Sequence, residues 1–163
     1  MISPSYEDFL CSACNADTTR HSGRTLLEHL KGTHDLLKSW ELEPNICTAG
    51  LFHSIYGTNM FRHQSWPLAD RRTIQMLIGE HAERLVHTFC TIDRPRALFA
   101  APAMLRSPIL QQLREIEAAN LLEQGSLSSW LNRLQHDPKL SQGARIAIRK
   151  RFAAAVIEGR RAC

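Results

Sequence analysis

Residues 25–57 read TLLEHLKGTHDLLKSWELEPNICTAGLFHSIYG, and the spacing of the apolar side chains in this stretch decides the fold. Leu26, Leu30, Thr33, Leu37 and Trp40 recur at helical spacing, with Glu28, Lys31, Asp35 and Lys38 on the opposite face. Ser22 is the predicted N-cap of this helix, which runs to about Trp40. Pro44 then opens a second helix, from Ile46 to about Tyr56, that is apolar nearly all round and so predicted to be buried. Gly57-Thr58-Asn59 ends it. Further along, Ile74, Ile78, Ala82, Leu85, Phe89 and Ile92 form a third stripe, which Gly79 is placed to break in two. Pro95 and Pro102 mark the next connection. Residues 108–124 read as helical and stop at Gly125, and SLSSWLNRL (126–134) and SQGARIAIRKRFAAAVIEG (141–159) read as two more helices. No segment alternates as a strand. The expectation is an all-α, single-domain helical bundle, with residues 1–20 as an N-terminal helical segment and residues 21–163 as the domain.

The composition agrees. With 163 residues, 44% hydrophobic and 22% charged, the chain has the size and balance of one globular domain. No apolar run approaches the ~18 residues of a membrane span, and the first residues lack the basic start and apolar stretch of a secretory leader. A soluble cytoplasmic protein is therefore expected, with no membrane partner. Five cysteines are an odd number, expected as free thiols. Cys11-Ser-Ala-Cys14 is a lone CxxC without the second pair that a zinc ribbon needs.

Charge is uneven along the chain. Residues 1–93 carry eight Lys or Arg against eleven Asp or Glu, whereas residues 94–163 carry twelve against five. Seven of the eight histidines (all but His136) lie in the acidic part, so chemistry is expected there.

At about 100° per residue, His29 falls inside the stripe of the first helix and His34 at its edge. On the second helix Ile46, Ala49, Gly50 and His53 share a face, and the small residues permit close helix approach. His81 falls among Ile74, Ile78 and Leu85, while His87 points away. Asp93 lies four residues past Phe89, on the same inward face. A single inward histidine reads most simply as a hydrogen-bonded core residue. Imidazoles and a carboxylate aimed inward from three helices are costly unless paired or bound to a metal, so His29, His53 and Asp93 together predict a site for zinc, iron, manganese or nickel.

The stretch 25–57 resembles the opening of HD-domain proteins, a superfamily of metal-dependent phosphohydrolases. In that superfamily a histidine on one helix is followed about 25 residues later by a buried helix ending in a pattern like AALLHDIG. Here His29 and His53 are 24 residues apart and AGLFHSIYG (49–57) stands in the signature's place. The segment is also similar to an uncharacterised HD-related family with a GLFHSIYGT box. The resemblance covers about residues 20–95, with basic helices (107–160) behind it. It implies a divalent ion (iron, manganese or zinc) held by His29, His53 and Asp93, with help from His81 or His21. Ser54 replaces the eponymous aspartate, and a hydroxyl is a far poorer ligand, which favours one ion over two.

Three functions are compatible with these residues. The first is hydrolysis of a small phosphoester or nucleotide-type substrate, with Ser54, Tyr56 and Arg94 as candidate catalytic residues and Arg24, Arg71, Arg72 or Arg94 as phosphate anchors. The second is a non-haem iron oxygenase with a two-histidine-one-carboxylate site. The third is a degenerate module that binds a ligand or partner without catalysis. Tyr56 and Thr58 follow His53 where a pocket mouth is expected, although Tyr56 equally reads as packing. Glu117 and Asn120, one turn apart, read either as polar groups toward the same cavity or as a solvated face. Arg145, Arg149, Lys150 and Arg151 make the last helix basic, but no nucleic-acid motif accompanies them. A small-molecule substrate is the expected partner, nucleic acid is not, and a homo-oligomer stays open.

Overall fold

Thr25, rather than Ser22, caps the first long helix. Its hydroxyl accepts from the Glu28 amide at 3.2 Å while the Glu28 carboxylate accepts from the Thr25 amide at 2.8 Å, a closed capping box. Ser22 is unavailable because it and Gly23 take positive φ (48° and 86°) in the tight turn joining two short antiparallel strands, as a two-residue hairpin turn requires. These are β1 (Arg20–His21) and β2 (Arg24–Thr25), paired Arg20 with Thr25 and His21 with Arg24. Strands of two residues are too short to show alternation, which is why the sequence pattern does not reveal them.

The computed structural model describes residue 2, residues 4–100 and residues 107–161; Pro102 and Cys163 lie outside the described residues. Among the described residues the domain is all-α apart from that hairpin. Its helices are α1 (Pro4–Ser12), α2 (Leu26–Ser39), α3 (Pro44–Phe52), α4 (Arg71–Ile78), α5 (Glu80–Thr91), α6 (Arg96–Ala100), α7 (Ser107–Glu123), α8 (Ser129–Leu134) and α9 (Gln142–Arg161). The expected break at Gly79 is present, with φ at 85°. The second helix ends at Phe52, four residues short of the expected Tyr56, and the chain then turns through Ser54–Gly57.

α2 packs against α3 and α7, and α3 packs against α5. The small face of α3 sets the first contact: a Cβ at Gly50 would collide with the Leu37 side chain and touch Thr33. Leu30, Leu37, Phe52, Ile55, Leu85, Phe89, Leu113 and Ile116 fill the core behind it. α1 belongs to the same core, with Leu10 buried and Tyr6 edge-on to Phe52 at 5.6 Å between ring centroids. α9 closes on Trp40 through Gly143, where a Cβ would lie 2.9 Å from the indole. Among the described residues no helix is long and apolar enough to cross a membrane.

Candidate functional site

Three of the sequence-predicted histidines meet. A cavity of about 270 Å³ opens between the hairpin, α2, the end of α3 and α7, lined by His21, His29 and His53 with Ser54, Thr58, Arg94, Asn120 and Gln124. His29 enters from the buried stripe of α2 and His53 from the C-cap of α3, both almost wholly buried.

Each ring has its Nδ1 committed. His53 Nδ1–H donates to the Gly50 carbonyl at 2.7 Å, and His29 Nδ1 meets the Glu123 carboxylate from α7. A ring that donates from Nδ1 keeps a lone pair on Nε2 when neutral. The two Nε2 atoms face each other at 3.2 Å. Two lone pairs do not hydrogen-bond, so either a proton or a cation between them reconciles the geometry. Nitrogen ligands about 2.0–2.1 Å from one ion lie about 3.0–3.4 Å apart at ordinary coordination angles, and the pair fits such an ion.

The electrostatics keep the His53 lone pair open. Burial holds His53 well below the usual imidazole value, reinforced by the neighbouring His29. Burial and then His29 push His21 down to about 4. The His21 ring lies 4.3 Å from that of His29 and edge-on to Phe61. His21 Nε2 and Ser54 Oγ are buried with no hydrogen-bond partner among the described residues, and such orphaned atoms are where a water, ion or ligand belongs.

Acid should therefore weaken the fold. Both histidines have folded values below the ordinary 6.5, so the unfolded chain takes up protons first. Their contribution is complete above about pH 6.5 and falls as the pH drops toward 4. Urea midpoints measured across that range should decline, most steeply below pH 6.5; a flat profile would mean that these rings are not held neutral.

Several expected site residues lie elsewhere. Asp93 is exposed and accepts from Asn59 Nδ2 at 3.1 Å. Its predicted inward face assumed a continuous helix, but α5 ends at Thr91 and Ile92 is extended, so the helical wheel no longer applies. His81 sits beside Gln112 Oε1 at 3.2 Å and does not line the cavity. Tyr56 donates to Glu83 at 3.1 Å within the core, because the chain has left α3 before reaching it.

Three of the four expected phosphate anchors are also occupied. Arg71 forms two 2.7 Å bonds to Glu83, and Arg24 is bound to Glu123 at 2.5 Å. Neither they nor Arg72 line the cavity. Arg94 does, yet its guanidinium pairs with Glu117, donates to the Phe89 carbonyl at 2.9 Å and stacks 3.6 Å over the Phe89 ring. It is a wall of the pocket. Asn120 and Glu117 do turn toward this side of α7, and Gln124 donates to Asn120 Oδ1 at 2.7 Å.

Glu123 and Arg20 went unnoticed in the sequence. The one local hint to Glu123 is Gly32, a glycine in the middle of an otherwise good helix. Among the described residues no group of three or more His, Cys, Asp or Glu is disposed to hold an ion. The donor set is thus an imidazole pair with an unpartnered third imidazole beside it. An ion between the pair would need its other ligands from water or substrate, and the two-histidine-one-carboxylate arrangement is not formed among the described residues. Cys11 and Cys14 form no such group either; burial raises the Cys14 thiol to about 11 and keeps it protonated.

Fold and site together define an all-α domain with a buried imidazole pair at the floor of a pocket walled by basic and amide side chains. The family described as a domain of unknown function, DUF6817, matches residues 10–94, just over half of the chain, and the chain belongs to that family. No curated protein and no solved structure matches it. The match takes in the hairpin and α2–α5, hence His21, His29, His53, Ser54 and Arg94, while Glu117, Asn120 and Glu123 on α7 lie beyond it.

Proposed function

We propose that this is an HD-like, metal-dependent hydrolase acting on a small phosphorylated molecule, with one divalent ion held by Nε2 of His29 and Nε2 of His53. The observation that carries the reading is the pair of opposed imidazole nitrogens, 3.2 Å apart, with both Nδ1 atoms occupied by acceptors. Iron, manganese or zinc suits imidazole donors. Such an ion would supply an activated water and neutralise charge developing on a phosphoryl group.

The chain's own residues define the rest. Among the described residues no Asp or Glu lines the cavity, whereas Arg20, Arg94 and three histidines do, and the Arg20 guanidinium favours an anion. Glu117 and Glu123 sit behind that lining, each already paired with an arginine. Ser54 Oγ is a free donor in the pocket wall, and Asn120 and Gln124 offer amides to the polar remainder of a substrate. His21, held neutral and unpartnered at Nε2, offers a lone pair to a water or to a substrate donor.

Asp93, paired with Asn59, is absent from the cavity lining, which takes the expected carboxylate ligand from the hydrolase and the iron-oxygenase readings alike; the cationic Arg20 in the lining is what supports the hydrolase. The non-catalytic module keeps one observation in its favour, the lack of a third convergent donor among the described residues. Elemental analysis of untagged protein, purified anaerobically without chelator, separates these. Near-stoichiometric manganese, zinc or iron, followed by phosphate release from a panel of phosphoesters and nucleotides, is the expected result. Bound metal without hydrolysis of any of them favours the binding module. Absence of metal even after anaerobic reconstitution would make the imidazole pair a core contact and overturn the proposal.

A further inference from the structure

Glu123 is the last residue of α7, 94 positions beyond His29 in the chain, and its side chain is 5% exposed. One carboxylate oxygen meets His29 Nδ1 and the other takes Arg24 Nη2 at 2.5 Å. The same Arg24 nitrogen donates to the Glu123 main-chain carbonyl at 2.6 Å. Arg24 belongs to β2, so the hairpin grips the end of α7 while α7 grips the imidazole. The carboxylate reaches His29 by passing over Gly32, almost one turn further along α2. A Cβ at that position would lie 2.7 Å from Glu123 Oε1 and 2.8 Å from its Cγ. Glycine is disfavoured in a helix interior, and here its missing side chain is the opening through which the carboxylate enters.

We infer that Glu123 is the positioning residue of the imidazole pair, that Gly32 is the slot that admits it, and that Arg24 holds it in place. The carboxylate fixes the His29 proton on Nδ1 and so leaves the lone pair on Nε2, facing His53. Without it, the neutral ring is free to move its proton to Nε2. That atom then donates to the His53 lone pair across the existing 3.2 Å gap. The pair becomes a closed hydrogen bond and is no longer an open pair of donors. A carboxylate behind a ligating histidine typically contributes 10–100-fold in metal affinity, so the consequence for metal rests on the proposed function, whereas the tautomer does not.

The test begins on metal-free, 15N-labelled protein, because long-range proton–nitrogen spectra report which ring nitrogen of His29 is protonated. Wild type should show Nδ1–H with an unprotonated Nε2. Glu123→Ala should move the population to Nε2–H, and Gly32→Ala should act in the same direction by displacing the carboxylate. Glu123→Gln should retain Nδ1–H, since its amide oxygen still accepts. Zn2+ and Mn2+ titrations should then show about 10–100-fold weaker binding for Glu123→Ala, with Glu123→Gln between it and wild type. An unchanged His29 tautomer in folded Glu123→Ala or Gly32→Ala overturns the inference. Should Glu123→Ala fail to fold, the Gly32→Ala and Glu123→Gln spectra decide. Should the tautomer shift while wild type binds no metal, the positioning role stands and the proposed metal chemistry falls.

Discussion

His53→Ala is expected to strip the protein of divalent metal while leaving its far-UV circular dichroism close to wild type. His53 Nε2 and His29 Nε2 are the opposed donors in the cavity, and among the described residues no group of three or more ligating side chains stands ready to make good the loss of one. Changing even an outer partner of a ligating histidine commonly costs 10–100-fold in affinity, so losing the donor itself should exceed about 100-fold. The helices should survive because His53 is the C-cap of α3, at the end of the element. The main structural cost is the space left beside Phe89, whose ring meets the imidazole edge-on at 5.4 Å. Two controls sharpen the test. Asp93→Ala and His81→Ala should keep full metal stoichiometry, because Asp93 faces solvent and His81 sits beside Gln112. Retention of metal by His53→Ala, or its loss in Asp93→Ala, would sink the assignment of the ligands.

Arg94→Ala should be the most destabilising single substitution in the pocket wall, at about 3–5 kcal/mol by urea denaturation, because it strands the buried carboxylate of Glu117. Both partners are 3% exposed. The same guanidinium also satisfies the Phe89 carbonyl and covers the Phe89 ring. Its removal therefore leaves an uncompensated charge, an unpaired carbonyl and a void together. The double replacement Arg94→Met with Glu117→Leu removes both charges and should recover most of the loss, since apolar replacements of a buried pair are often neutral or stabilising. A loss below about 1 kcal/mol in the single variant would show that the pair contributes little to the fold. Arg94 would then be available to bind a phosphate, as the sequence reading had it. This buried pair also explains why Arg94 stands apart from Arg71 and Arg24. All three are committed to carboxylates, but only Arg94 is both committed and exposed to the cavity.

Where a residue's setting depends on its own helix, the sequence alone was sufficient. The 3.6-residue spacing around Leu26, Leu30, Thr33 and Leu37 put His29 on the buried face. Ala49 and Gly50 marked the close approach of α3, with His53 beside it, and Gly79 marked the division of α4 from α5. An all-α domain follows from such patterns because each rests on side chains within a turn or two of one another. The same reasoning failed where it was carried past a helix end. Asp93 lies beyond Thr91 and Tyr56 beyond Phe52, and there the backbone direction is set by capping and turn geometry. The two-residue strands of the hairpin offered no period to read, and the pair of positive φ values at Ser22 and Gly23 decided the start of α2 instead.

Which donors meet is a different kind of fact. His29 and His53 are 24 residues apart, and Glu123 is 94 residues from His29. Local propensity carries no information about contacts of that separation; they form because apolar faces of α2, α3 and α7 have to be buried against one another. Packing brought the imidazoles nose to nose, delivered Glu123 over Gly32, and sent Asp93 and His81 to other partners. Helix faces and helix breaks could be read residue by residue, while the meeting of His29, His53 and Glu123 was decided only when three helices and a hairpin closed on one cavity.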